Sequence, residues 1–277
     1  TEAVGVNDHV SWASQLSTRL GSAAGKWVGV YKFAASDWGT FQEVLALEKF
    51  GPKLDPQLVV LQFLGLNDFV NNAISFAGKN QSENDDWRPY YDPANAEGRR
   101  WVNPAKNFFR EYSFLFRFYD SYRVNQHLFG LRGLDQAERS CEPHLQLFLE
   151  NPDDPRWSES YEITKGIARR LAQFKKTKIV AVYFPSSLEV VEAQWNGGVE
   201  ALLKRCYPGK KINVRWAEHN FKAAFQAAGI ETISLFDDFA RDKSPERLFD
   251  GSGHLSNEGH QFVSQRVAEY IVRQKAL

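Results

Sequence analysis

The chain has no methionine, only two cysteines in 277 residues, and no net charge, because 34 Lys and Arg balance 34 Asp and Glu. Each shortage excludes something. A neutral chain with a pI near 7.0 lacks the basic surface that binds nucleic acid or an anionic membrane, so neither is expected as a partner. Two cysteines, Cys141 and Cys206, give no metal-ligand spacing; one disulfide and two buried thiols are both open. There is no paired-His or Cys/His spacing for zinc and no Gly-rich phosphate loop, so no metal or cofactor is expected. No apolar run approaches the roughly 18 residues that cross a bilayer, and no signal-peptide pattern is present, so no transmembrane segment is expected. A chain that starts on Thr1 without Met reads as a processed or trimmed product.

What is present is ordinary globular material, 43% hydrophobic and 25% charged, in a length that can bury a sizeable core. Trp27 to Phe33, rich in Val and aromatics, predicts a strand. Thr40-Phe-Gln-Glu43 has the spacing of a capping box and opens a helix that should run to Phe50 and stop at Gly51-Pro52. Leu58–Leu64 and Lys178–Pro185 are nearly continuous apolar sequence, as expected of strands covered on both faces. Helical patterns cover about Ser160 to Phe174, Trp216 to Ala228 and Glu258 to Arg273, with a further strand at Glu231 to Phe236. The last helix puts Val263, Val267, Tyr270 and Ile271 on one face. Strands alternating with helices predict the α/β class, a single domain over residues 1–277 with a mainly parallel sheet of about five strands between helical layers.

Between Val70 and Glu159 the alternation stops. Asn80 to Arg100 is polar, charged and Pro-containing and reads as a long loop. Ala105 to Leu131 is crowded with Phe and Tyr and reads as helical. Residues 71–159 are therefore expected to be a helical insertion packed over one edge of the sheet.

Three short segments carry chemistry. His254 lies between glycines in Asp250-Gly-Ser-Gly-His-Leu-Ser-Asn-Glu-Gly259, just before the last helix, where a general base could be held to a cleft while a carboxylate takes its second ring nitrogen. Gly65-Leu-Asn-Asp68 follows one apolar strand, and Asp37-Trp-Gly-Thr40 follows the Trp27–Phe33 segment. In an open parallel sheet all three fall on the carboxyl edge, where ligands bind. Gly39 presents a backbone N–H with no side chain in the way, and Asn67 carries an amide NH2; both can donate to a developing oxyanion. Taken one at a time, Gly39 could simply open a helix, Asn67-Asp68 could be a strand-end turn, and His254 could be a solvated loop residue. Their order and placement favour a shared site. His260, one turn into the last helix, reads as packing or capping.

In this order the three segments resemble the SGNH/GDSL hydrolases, which cleave esters with a Ser–His–Asp arrangement. The resemblance covers residues 1–70 and 178–277. It implies a flavodoxin-like three-layer α/β/α sandwich, His254 as base, Asp250 as the acid orienting it, and Gly39 and Asn67 as oxyanion donors. Relatives place the acid two or three residues before the His, whereas here the interval is four. The family's nucleophile, the Ser of a Gly-Asp-Ser motif ending an interior strand, is not in the sequence. Thr1-Glu-Ala-Val-Gly-Val resembles the segment that follows that motif, which places the nucleophile upstream of Thr1. Ser36, Ser252 and Ser256 lie near the site but lack a nucleophile-elbow context. The implied function is a serine ester hydrolase, a deacetylase or esterase on an acylated carbohydrate or small ester. The alternatives are an O-acyltransferase acting on a polysaccharide or cell-wall sugar, and a binding module that has kept the fold. A periplasmic or secreted location is favoured.

Overall fold

A computed structural model describes residues 7–35, 38–76, 88–95, 98–101, 113, 143–191, 198–250 and 253–274. Three parallel strands form the central sheet: β1 (Leu58–Leu64), β4 (Lys178–Phe184) and β5 (Glu231–Ser234), in the order β1-β4-β5. Leu58 pairs with Lys178 and Leu64 with Phe184, so β1 and β4 are in register along their whole length. β4, in the middle, is buried at six of its seven positions, which is why its sequence is continuously apolar.

Alternate residues of β4 enter two separate apolar clusters. Ile179, Ala181 and Tyr183 join Leu61 and Phe63 of β1 under helices α2 (Thr40–Leu54), α3 (Gly65–Asn72), α4 (Pro155–Leu171) and α7 (Trp216–Ala227). Val180, Val182 and Phe184 face α1 (Trp12–Ala24) and α9 (Asn257–Arg273). Helices thus cover both faces of a parallel sheet, the arrangement that strand–helix alternation predicts. Phe63 is the hub of the first cluster, with Phe69, Phe221, Phe225 and Tyr183 rings between 5.0 and 6.4 Å from it.

Several expectations need correction. Trp27–Phe33 is extended but is not a strand, because no described strand lies beside it to form a ladder. It runs along α1, where Ser17 Oγ donates to the Val28 carbonyl at 2.5 Å. Its residues alternate regularly: Trp27, Gly29, Tyr31 and Phe33 are exposed, while Val28, Val30 and Lys32 are half-buried. The segment carries the chain from α1 on one face of the sheet to α2 on the other, with Val28 packed on the α1 side and the Phe33 ring stacked on Phe50 of α2. The edge of β1 opposite β4 pairs with no described strand, and five of the seven β1 residues are only half-buried. Three described strands therefore stand where about five were expected.

Helix α2 starts one residue earlier than the proposed box implies. Gly39 is its N-cap, and Gln42, not Glu43, reaches back to the N-cap N–H. The helix also runs through Pro52 to Leu54. A proline in the last turn removes one i→i−4 bond only, and the actual stop is Asp55 in the left-handed region at φ 43°. Helix α1 has no counterpart in the expected elements, although Ser11 as N-cap and Gly25 at φ 62° bound it.

In the expected insertion, Asn80–Arg100 is not all loop. β2 (Pro89–Tyr91) and β3 (Arg99–Trp101) form an antiparallel hairpin. It packs onto the helices: Gln42 Nε2 donates to the Pro89 carbonyl, and the Tyr91 ring fills the space beside Gly166 of α4. The helical expectation for Ala105 to Leu131 falls outside the described residues apart from Ser113. Cys206, at the end of helix α6 (Gly198–Cys206), is disulfide-bonded; the sequence has one other cysteine, Cys141, outside the described residues. Among the described residues no helix is long and apolar enough to cross a membrane.

Candidate active site

The carboxyl ends of β1 and β4 lead into tight turns whose packing is set by side chains from neighbouring segments. After β1 the chain enters α3 at Gly65 without a loop. Asp68, in the first turn, accepts from Leu64 N at 2.7 Å through Oδ2 and from Thr40 Oγ1 at 2.7 Å through Oδ1. Asn72, one turn further, accepts from Phe41 N at 3.0 Å and donates to Thr40 Oγ1 at 3.3 Å. The start of α2 is thereby bolted to α3, and Gly39 lies against the same helix. A Cβ on Gly39 would come within 2.7 Å of Asn72 Oδ1 and 2.9 Å of Asn71 Cβ. Glycine is needed there for close approach.

The Gly39 N–H donates to Gln42 Oε1 at 2.8 Å. It serves an oxyanion only if Gln42 shares it or swings away. Asn67, by contrast, has an exposed side chain beyond the end of β1. Asp37 and Ser36 lie outside the described residues.

His254 is exposed on a loop closed upon itself. Asp250 N donates to the His254 carbonyl at 2.7 Å, His254 N donates to Asp250 Oδ1 at 3.1 Å, and Gly253 N donates to the Asp250 carbonyl at 3.1 Å. Phe249 and Leu255 bridge the base of the loop. Gly253 sits at φ 86°, where a side chain is strained. The four-residue interval from Asp250 to His254 is what lets the carboxylate turn back onto the His254 backbone. Ser256 is committed elsewhere: its Oγ caps α9 by accepting from Gly259 N and donates to the Arg247 carbonyl. Ser252 lies outside the described residues. His260 is a packing residue; it is buried, and its Nδ1 accepts from Trp12 N at 3.2 Å, at the start of α1.

A buried polar group just past β4 has no counterpart among the expected site residues. The strand ends in Tyr183 and Phe184, and Pro185-Ser186 leads into the four-residue helix α5 (Ser187–Val190). Glu189 Oε1 accepts from Tyr183 Oη at 2.5 Å; its Oε2 accepts from Ser186 N at 2.6 Å and Ser186 Oγ at 2.9 Å. The Ser-x-x-Glu spacing behind an apolar strand is a capping-box signature that could have flagged it. Burial pushes the Glu189 carboxyl up to about 7, against the hydrogen bonds that favour its ionised form. Burial likewise lifts Asp68 to about 6 and raises Glu43, which burial and the Asp68 charge both disfavour as an anion. Tyr183 is raised well above the usual phenol range, first by burial and then by Glu189, so it stays a donor. Among the described residues no group of three His, Cys, Asp or Glu could hold a metal ion.

Tyr183 also explains Gly65. A Cβ at that position would sit 2.2 Å from Tyr183 Oη and 2.9 Å from Ala217 Cβ. Gly65→Ala is expected to destabilise the fold by about 1–3 kcal/mol through overpacking, read as a lower urea midpoint. Tyr183→Phe in the same chain should return part of that loss, because it removes the clashing oxygen; strictly additive effects of the two changes would refute the contact.

In comparisons with known proteins, no family model, no curated protein and no solved structure matches this chain.

Proposed function

We propose that this protein is a serine ester hydrolase of the SGNH/GDSL type, acting on an acylated carbohydrate or small ester through an acyl-enzyme. The observation that carries the reading is the placement of its segments. Gly65-Leu-Asn-Asp68 caps β1, α2 opens at Gly39 against α3, and the Asp250–His254 loop abuts the turn after β4. A parallel sheet with helices on both faces uses that edge for ligands.

In the proposed mechanism a serine hydroxyl attacks the ester carbonyl while His254 takes its proton. Asn67 Nδ2 then stabilises the tetrahedral oxyanion, joined by Gly39 N–H when Gln42 yields it. His254 returns the proton to the leaving alcohol, and water resolves the acyl-enzyme by the same steps in reverse. The nucleophile belongs to a further parallel strand beside β1, making the sheet flavodoxin-like. Its support is the edge of β1 that pairs with no described strand, along which five of seven residues are only half-buried. The disulfide at Cys206 suits an oxidising compartment, periplasmic or secreted.

The test is p-nitrophenyl acetate turnover by the full-length protein, with fluorophosphonate labelling to locate the nucleophile. Turnover with one labelled serine on a strand beside β1 is expected; no turnover and no label would leave the binding-module reading. Asn67→Ala should lower kcat by roughly 10²-fold with little change in thermal stability, because the side chain is exposed and its bond strengthens in the transition state. A change confined to KM would mean Asn67 binds substrate without touching the oxyanion.

A further inference from the structure

We propose that Glu189 is the positioning residue that holds the two turns of the site, Gly65–Asp68 and Gly253–His254, in place relative to each other. The catalytic consequence rests on the hydrolase reading; the positioning itself rests on contacts. One carboxylate accepts three hydrogen bonds from two residues. Through Oε1 it fixes Tyr183 Oη, and that phenol oxygen occupies the space where a Gly65 side chain would be, 2.2 Å from the ideal Cβ. Through Oε2 it fixes both the N–H and the hydroxyl of Ser186. The next residue, Ser187, places its Oγ 3.1 Å from the Cβ position of Gly253, beside His254. The phenol thus lies under the turn carrying Asn67, and the serine hydroxyl under the loop carrying the base.

Helix capping alone does not account for this acid. Helix α5 has four residues, and an anion held in the interior is costly unless fully hydrogen-bonded. An apolar residue would pack there at lower cost, whereas three donors converging on one carboxylate define a single geometry for two otherwise separate turns. Both turns use glycine at the point of contact, so neither has a side chain of its own to define its distance from β4. Gln at position 189 fills the same space but turns one acceptor oxygen into a donor, leaving at least one of Tyr183 Oη, Ser186 N and Ser186 Oγ without its partner.

The experiment compares the full-length protein with Glu189→Gln by amide hydrogen exchange and by steady-state kinetics on p-nitrophenyl acetate. Exchange at Gly65–Asp68 and Gly253–His254 is expected to speed up by about tenfold or more, while Val180–Val182 in the middle of β4 stays within about twofold. In kinetics, kcat should fall by about tenfold or more with KM within about twofold, the signature of lost alignment. Three results overturn the proposal: exchange at both turns unchanged, exchange raised equally everywhere, or loosened turns with unchanged kcat. Should Glu189→Gln fail to fold, Tyr183→Phe, which removes one donor and keeps the carboxylate, is expected to loosen Gly65–Asp68 and spare Gly253–His254. Loosening neither turn overturns the claim. If the wild-type protein cleaves no ester, the hydrolase reading falls, and the exchange comparison still decides the role of Glu189.

Discussion

His254→Ala is expected to reduce ester turnover by at least about 10³-fold, the scale of losing a general base that acts twice in each cycle. The argument is one of placement. His254 is exposed at the carboxyl edge, on a loop fixed by three hydrogen bonds among Asp250, Gly253 and His254. The other histidine of that region, His260, is buried and already accepts from Trp12 N, so it cannot replace the lost base. Since His254 is exposed, its replacement should leave the melting temperature within a degree or two of wild type. The measurement is kcat on p-nitrophenyl acetate, with melting as the folding control. A variant retaining more than a tenth of wild-type kcat would make His254 an ordinary loop residue. Asp250→Asn separates two roles of its carboxylate in the same assay. Loss of turnover without loss of loop order means that it orients the imidazole, and loss of both means that it acts by closing the loop.

The second large effect is on stability against pH, and its sign is unusual. Asp68 titrates at about 6 instead of 3.8 and Glu189 at about 7 instead of 4.5, both raised by burial. In the unfolded chain both release their protons about two pH units earlier. Between about pH 4 and 7 the native state therefore holds more protons than the unfolded one, so stability falls as pH rises through that window, and by pH 8 the whole penalty is present. Its scale for the two groups together is a few kcal/mol, and Glu43, also raised, adds in the same direction.

Several groups oppose this on the acid side, the more buried of them being His260 and Glu218. His260 is lowered by burial; its contribution is complete above 6.5 and is lost as pH falls below that value. Burial alone would raise Glu218, but its hydrogen bonds and its ion pairs to Lys222 and Arg215 hold it below the usual range. Its contribution is present above 4.5 and lost in stronger acid. The melting temperature is thus expected to be highest at the acid end of this window, near about pH 4.5, and to fall by several degrees toward pH 8. Calorimetry from pH 4.5 to 8.5 measures it, and Glu189→Gln should flatten the alkaline slope. A melting temperature rising steadily from pH 5 to 8 would mean these carboxylates are ionised in the native state at no cost.

Much of the architecture is legible from local rules. β1 and β4 are continuous apolar runs because helices cover them twice. The α9 pattern at Val263, Val267 and Ile271 is real because α1 lies along that face. What misleads is what needs a neighbour. Trp27–Phe33 has ideal strand composition and alternates as a strand does, yet an extended segment becomes a strand only through a ladder partner. Pro52 looks like a helix stop because the sequence cannot say that the last turn has only one bond to lose there. The site divides the same way. Asn67 stands just past the end of β1, where its Gly-Leu-Asn-Asp context puts it, whereas Gly39 opens α2 without a strand before it and His254 lies on the loop ahead of α9. The Gln42 oxygen on Gly39 N–H could not be foreseen, because a glutamine at the third helical position is silent about where its amide turns. Glu189 carries a readable capping signature, but that its partners would include Tyr183 depends on β4 ending where it does.

The side of β1 that pairs with no described strand has a consequence for how this polypeptide behaves whenever that edge is bare. Leu58-Val-Val-Leu-Gln-Phe-Leu64 contains no charge, no proline and no glycine, the composition that adds readily to a strand of another molecule. β4 is protected by having a neighbour on each side; β1 is protected only when something lies against its outer edge. Until then the chain carries a seven-residue adhesive strip, in addition to the exposed rings of Trp27 and Tyr31. Val59, Val60 and Gln62 therefore matter twice, in the folded sheet and in the interval in which that edge is bare.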